Sequence, residues 1–113
     1  MPNIKVGRTI EVDADLQGAR ARVLRFAGLS GFRIVLDDGG HQEFARGGLR
    51  GEIFASNVRA VPTRLTVDLL EGVGRTLVNA TLKASTRFGL FTSVDRAALD
   101  DELGVLIEAL LDG

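Results

Sequence analysis

Few residues in this 113-residue chain are equipped for chemistry, and local structure accounts for most of them. The single histidine, His41, directly follows Asp37-Asp38-Gly39-Gly40. A general base needs an acid to orient its ring and a nucleophile within hydrogen-bond reach. A hairpin end seldom supplies both, so His41 reads as an exposed strand residue. Asp37 and Asp38 could act as paired carboxylates or hold a hard cation, but magnesium or calcium wants further oxygens at set spacing. Turn chemistry accounts for the pair. In Asp100-Asp101-Glu102, consecutive helical residues diverge in direction and cannot clamp one ion. The absence of cysteine excludes a disulfide scaffold, a thiolate nucleophile and a zinc–thiolate site. No catalytic residue, metal site or cofactor follows from these groups, and the expectation is a protein that is not an enzyme.

The remaining candidates bind rather than react. Gly72-Val73-Gly74-Arg75 lacks the strand-to-helix setting and third glycine of a dinucleotide loop, and reads as a hairpin turn. Gly47-Gly48-Leu49-Arg50-Gly51 could present amides and Arg50 to an anion, although a mobile loop is the plainer reading. With Arg46, Arg59 and Arg64 it forms the most basic window, four bases against Glu52. Those arginines, Phe54 in the Ile53-Phe54 segment, and Arg8 are the candidate contacts for a ligand or partner. Arg8 shares the core-side parity of the first strand. Either Gly7 marks a bulge that turns it outward, the preferred reading, or it points inward and needs an acid or carbonyl. Arg20, Arg22 and Arg25 share a helix and could touch phosphate, but a solvated face explains them. Arg87-Phe88-Gly89-Leu90-Phe91 lacks the glycine that follows the arginine of an RNA-recognition strand, and the chain has no Trp or Tyr for stacking, so nucleic acid is not an expected partner.

These residues must be held by a small set of amphipathic elements. Leu65, Val67 and Leu69 alternate with Thr66 and Asp68, and Val78, Ala80, Leu82 and Ala84 alternate with Asn79, Thr81, Lys83 and Ser85. Both are half-buried strands. A three-residue loop between them would mix their faces. A four-residue loop closed by Glu71 and Thr76 sets Leu69 against Val78, Val67 against Ala80 and Leu65 against Leu82, so burial selects an even loop. Farther on, Thr92 or Ser93 can cap a helix on which Leu99, Leu103, Leu106 and Leu110, with Ile107 and Leu111 beside them, form an apolar stripe. Earlier, Ile4 to Val12 alternates as a strand, and Asp13 caps a helix with a core stripe of Leu16, Ala19, Val23 and Ala27, ended by Gly28 or Gly31. Phe32 to Leu36 and His41 to Arg46 flank the aspartate–glycine turn. The segment 47–61 is a short strand or helical turn that packs down somewhere.

The predicted fold class is therefore α+β: two layers, a curved antiparallel β-sheet in β-α-β-β-β(-β)-α order, both helices on one face, in a single domain over 1–113. Lys5, Thr9, Glu11, Thr66, Asp68, Asn79, Thr81 and Lys83 fall on the opposite, wet face. Net charge is −1, which gives no global pull toward nucleic acid or anionic membrane. It is uneven, however: residues 92–113 hold six acids and one base, while thirteen bases and nine acids occupy 1–91. No apolar run approaches the length of a membrane span and no leader precedes the first strand, so a cytoplasmic chain is expected.

This element order resembles the TATA-binding-protein-like and helix-grip class, which includes START-type lipid-transfer and polyketide-cyclase-like domains. The run Pro62-Thr63-Arg64-Leu65 with its hairpin and closing leucine-rich helix also looks like that of small bacterial proteins, a likeness that implies no activity. The helix-grip resemblance implies an apolar ligand held between sheet and long helix, and it carries no catalytic residue onto this chain. The chain departs from that class by its shortness and its dense leucine stripe, which argue against a large cavity. The function expected is a non-catalytic protein-interaction or accessory module, working with a protein partner or as a homodimer. The alternative is a carrier or sensor of a small apolar or acidic ligand beneath the C-terminal helix, with Ala80, Ala84, Phe26 and Arg8 lining the space.

Overall fold

The computed structural model describes residues 3–47, 62–85 and 93–112. In chain order the elements are β1 (Asn3–Val12), α1 (Leu16–Leu29), β2 (Arg33–Asp37), β3 (His41–Arg46), β4 (Thr63–Glu71), β5 (Thr76–Ser85) and α2 (Ser93–Asp112). The strands form one antiparallel sheet in the order β1-β5-β4-β3-β2. Both helices pack on one of its faces, as the apolar alternation predicts. Because β1 and β2 lie at opposite edges, α1 must cross the sheet to join them, while α2 lies chiefly over β1 and β5 and beside α1.

The β4–β5 hairpin fixes the register. Glu71 pairs with Thr76, Leu69 with Val78, Val67 with Ala80 and Leu65 with Leu82, the arrangement demanded by burial. Gly72 N–H donates to the Arg75 carbonyl at 2.7 Å, and Gly74 has φ +71°, a backbone state that suits glycine. The hairpin end also seats α1: Leu16 N–H donates to Glu71 Oε2 and the Thr76 hydroxyl to the Ala14 carbonyl, both at 2.8 Å. Asp15, not Asp13, is the N-cap. Its Oδ1 accepts from Gly18 N–H at 2.8 Å, the third helical position that a short carboxylate reaches. Gly31, with φ +81°, turns the chain at the other end of α1. β2 begins one residue later than predicted, leaving Phe32 buried beneath it.

The core lies between the layers. Leu99, Leu103, Leu106 and Leu110 are wholly buried with Leu65, Val67, Val78, Ala80, Leu82, Ala84 and Phe44, and α1 adds Ala19, Val23, Phe26 and Ala27. Small Ala80 and Ala84 of β5 belong to the same buried cluster as the leucines of α2. Ile107 is half-buried, and Leu111 faces solvent. One polar link ties the two helices together and another ties helix to sheet. Arg22 Nη1 donates to the Leu110 carbonyl at 2.6 Å, serving a free acceptor near the end of α2. Arg46 makes a two-pronged ion pair with Glu102, Nη1 to Oε2 at 2.6 Å and Nη2 to Oε1 at 2.7 Å. Among the described residues, no helix is long and apolar enough to cross a membrane.

Candidate functional site

The sheet face without helices carries charge in an order that only the strand register reveals. Residues opposite one another on neighbouring strands share a face. Lys5 stands opposite Lys83, Lys83 opposite Arg64, Arg64 opposite Ala45, and Ala45 opposite Arg33. Four cations thus occupy a five-position row across the sheet. The adjacent row reads Gly7, Thr81, Thr66 and Glu43, and the next Thr9, Asn79, Asp68 and His41. A shallow depression of about 200 Å³ lies over the first two rows, lined by Lys5, Arg64, Thr66, Thr81 and Lys83. A second, of about 280 Å³, continues round the end of the sheet past Arg33, Arg46, Arg64 and Lys83.

The third row holds the sole imidazole. His41 Nδ1–H donates to Asp68 Oδ1 at 2.5 Å, and Nε2–H donates to Glu43 Oε2 at 2.9 Å. The Asp68 hydrogen bond, reinforced by that to Glu43, raises the His41 pKa to about 9. The same contact, with Arg64 Nη1 donating to Glu43 Oε1 at 2.9 Å, holds the Glu43 carboxyl below its ordinary value. At neutral pH the ring is therefore an imidazolium with both nitrogens engaged, and it offers no lone pair to take a proton. Asp68 is 27 residues from His41 and meets it only through β3–β4 pairing, which no local pattern shows, whereas Glu43, two residues on, shares its strand face. Asp37 and Asp38 are turn formers as expected, accepting from Gly39 N–H at 3.0 Å and from His41 N–H at 2.7 Å. Asp37 also grips Arg20 through two oxygens. That hydrogen bond, then the Gly39 amide, lowers its pKa to about 2. Among the described residues, no group of three or more histidines and acids is placed to hold a metal ion.

The candidate arginines separate into distinct roles. The ten-pair β1–β5 register is unbroken, so Gly7 makes no bulge and Arg8 points to the helix side. It reaches Asp100 at 3.1 Å, with both side chains nearly half exposed. The preferred bulge is thus replaced by the inward arrangement with an acid partner, which an edge strand permits because water still reaches the pair. Arg46 faces the core side, lies 4.4 Å from the centre of the Phe32 ring, and is held by Glu102 and the Ser30 carbonyl at 3.1 Å. Of the candidate arginines among the described residues, Arg64 alone stands on the open face. Arg50, Phe54 and Arg59, with the rest of 48–61, lie outside the described residues, as do Thr92 and the stretch from Arg87 to Phe91. On α1, Arg20 and Arg22 are half-buried and bonded to Asp37 and Leu110, so only Arg25 remains a solvated arginine there.

One apolar surface stands apart. β2 is the terminal strand of the described sheet, and its Ile34, Val35 and Leu36 are 59, 49 and 44% exposed. Pairing with β3 slips between Ile34 and Leu36, leaving Val35 without an opposite residue. Leu29, at the end of α1 just before it, is also exposed. The wet-face expectation needs one amendment too, since Leu70 and Leu77 face each other on the open side near the hairpin tip.

The fold has solved counterparts. Ara h 8.0201, seen in a crystal structure, is similar over 96% of this chain and 94% of its own, with TM-score 0.61 and 10% identity. The Aha1 dimer from Colwellia psychrerythraea, a solution structure, is similar over 96% of this chain and 94% of its own, with TM-score 0.63 and 13% identity. Likeness at such identities establishes a shared helix-grip type of fold and nothing about activity. No protein-family model matches the chain, and no curated protein matches it in sequence.

Proposed function

We propose that the chain is a non-catalytic interaction module, cytoplasmic and homodimeric, joined through β2 of each copy. The observation that carries this reading is the run Ile34-Val35-Leu36, exposed on a strand whose outer edge has no neighbour among the described residues. Such an edge combines unpaired backbone donors and acceptors with apolar side chains and is a template for another strand. An identical edge running antiparallel satisfies it about a two-fold axis and closes the assembly at two copies. The similar Aha1 protein is itself a dimer, which is consistent with this reading. The non-catalytic part is supported by His41, whose two ring nitrogens are engaged by Asp68 and Glu43.

A carrier of an apolar ligand, the alternative, would need the space beneath α2. Leu99, Leu103, Leu106 and Leu110 are wholly buried there, so α2 would have to lift before a ligand could enter. Size-exclusion chromatography with light scattering separates the readings. The native chain is expected at twice its 12.1 kDa mass, Val35→Lys at the monomer mass, and Leu70→Lys, at the exposed hairpin site, still as a dimer. A native chain that stays monomeric while native mass spectrometry shows an apolar adduct would favour the carrier instead.

A further inference from the structure

We infer that the open sheet face binds a small phosphoryl-bearing anion in the depression bounded by Lys5, Lys83, Arg64, Thr66 and Thr81. Like charges directly opposite on neighbouring strands repel, yet Lys5 faces Lys83 and Lys83 faces Arg64. No acid pairs with Lys5, Lys83 or Arg33 among the described residues, and only Arg64 has an acidic neighbour in Glu43. The hydroxyls of Thr66 and Thr81 stand opposite one another in the next row. They add two neutral donors beside three charged ones. Gly7, opposite Thr81, keeps the β1 side of the depression low: a Cβ there would come within 3.3 Å of Thr81 Oγ1. A phosphoryl group presents several oxygens to such a set, and the guanidinium fork of Arg64 retains donors not taken by Glu43.

The surroundings set the size of the ligand. The depression is about 200 Å³, room for one or two phosphoryl groups. On the same face Glu43 closes the second row, Asp68 and Glu11 lie in the rows beyond, and all three would repel an anion that ran on toward them. Phe26, Phe32 and Phe44 are all buried, so no described aromatic ring stands ready to stack a base. A small phosphorylated metabolite fits this boundary better than a polynucleotide does.

The test uses the full chain with inorganic phosphate and pyrophosphate, at an ionic strength held constant with sodium chloride. Amide NMR titration is expected to show saturable shifts confined to the amides around residues 5, 64, 66, 81 and 83, with pyrophosphate the tighter ligand. Lys83→Gln is expected to weaken pyrophosphate about tenfold, the loss of one charge-assisted contact. Because it also relieves the cationic row, the same variant is expected to melt at a higher temperature than the native chain in phosphate-free buffer. Thr81→Val serves as the second variant, keeping the fold and the charges while losing a donor. Shifts that fail to saturate, or that spread equally to Arg25 and Arg75, would overturn the inference. So would a single-stranded oligonucleotide that displaces pyrophosphate and binds more tightly through the same amides.

Discussion

Replacing Glu102 by Gln keeps the shape of the side chain and removes its charge, leaving the Arg46 guanidinium facing a neutral amide. The pair is enclosed, with side-chain exposures of 10% for Arg46 and 8% for Glu102, and two short hydrogen bonds join it. Removing one partner of a buried pair costs about 3–5 kcal/mol, because the survivor stays charged away from water. Gln retains one acceptor, which places Glu102→Gln near the lower bound, about 3 kcal/mol. For a domain whose net stability is of order 5–15 kcal/mol, that is a large fraction. At roughly 4 °C per kcal/mol it lowers the melting temperature by about 12 °C. Urea denaturation followed by circular dichroism, with calorimetry for the midpoint, measures both quantities. The double variant Arg46→Met with Glu102→Leu removes both charges and is expected to regain most of the loss, since well-packed apolar replacements of buried pairs are often neutral. A loss below about 1 kcal/mol for Glu102→Gln would match an exposed pair and refute the buried clamp. So would a double variant no more stable than the single one.

Other outcomes follow from the same geometry. Leu103→Ala, at a fully buried position under α2, should cost about 2–5 kcal/mol in the same urea titration, whereas Arg8→Ala, in a half-exposed pair with Asp100, should cost no more than about 1 kcal/mol. The His41 contribution has a defined pH window. Its folded pKa of about 9 lies above the ordinary 6.5, so its stabilisation is complete below pH 6.5 and disappears as pH rises through 9. Urea midpoints from pH 6 to 10 should fall for the native chain and remain flatter for His41→Asn. Asp37 acts in the opposite sense: its pKa of about 2 lies below the ordinary 3.8, so its stabilisation is present above pH 3.8 and is lost as pH falls through 2. Carboxyl NMR titration of Asp37 should give a midpoint that moves back toward 3.8 in Arg20→Gln.

The fold was legible where burial alone decides the answer. The even β4–β5 loop followed from the parity of Leu65, Val67 and Leu69 against Val78, Ala80 and Leu82, because any odd loop would have exposed one set. The leucine stripe of α2 was readable for the same reason. Arg8 was harder, since parity put it inward and the cost of burying a charge argued for a bulge. The edge position of β1 settles the matter by leaving the side chain half in water beside Asp100. The Arg64–Lys83 juxtaposition was implicit in the predicted hairpin register, whereas Lys5 joins that row only because β1 lies beside β5, a long-range pairing that no local pattern encodes. The clasp of His41 by Asp68 and the grip of Arg46 on Glu102 were hidden likewise, for both join segments remote in sequence.

Amide hydrogen exchange along β2, compared between the native chain and Val35→Lys, bears most directly on self-association through this edge. Amides in 33–37 are expected to exchange slowly in the native chain and much faster in the variant, with β1, the opposite edge, unchanged between the two. Equal exchange rates along β2 in both chains would contradict it.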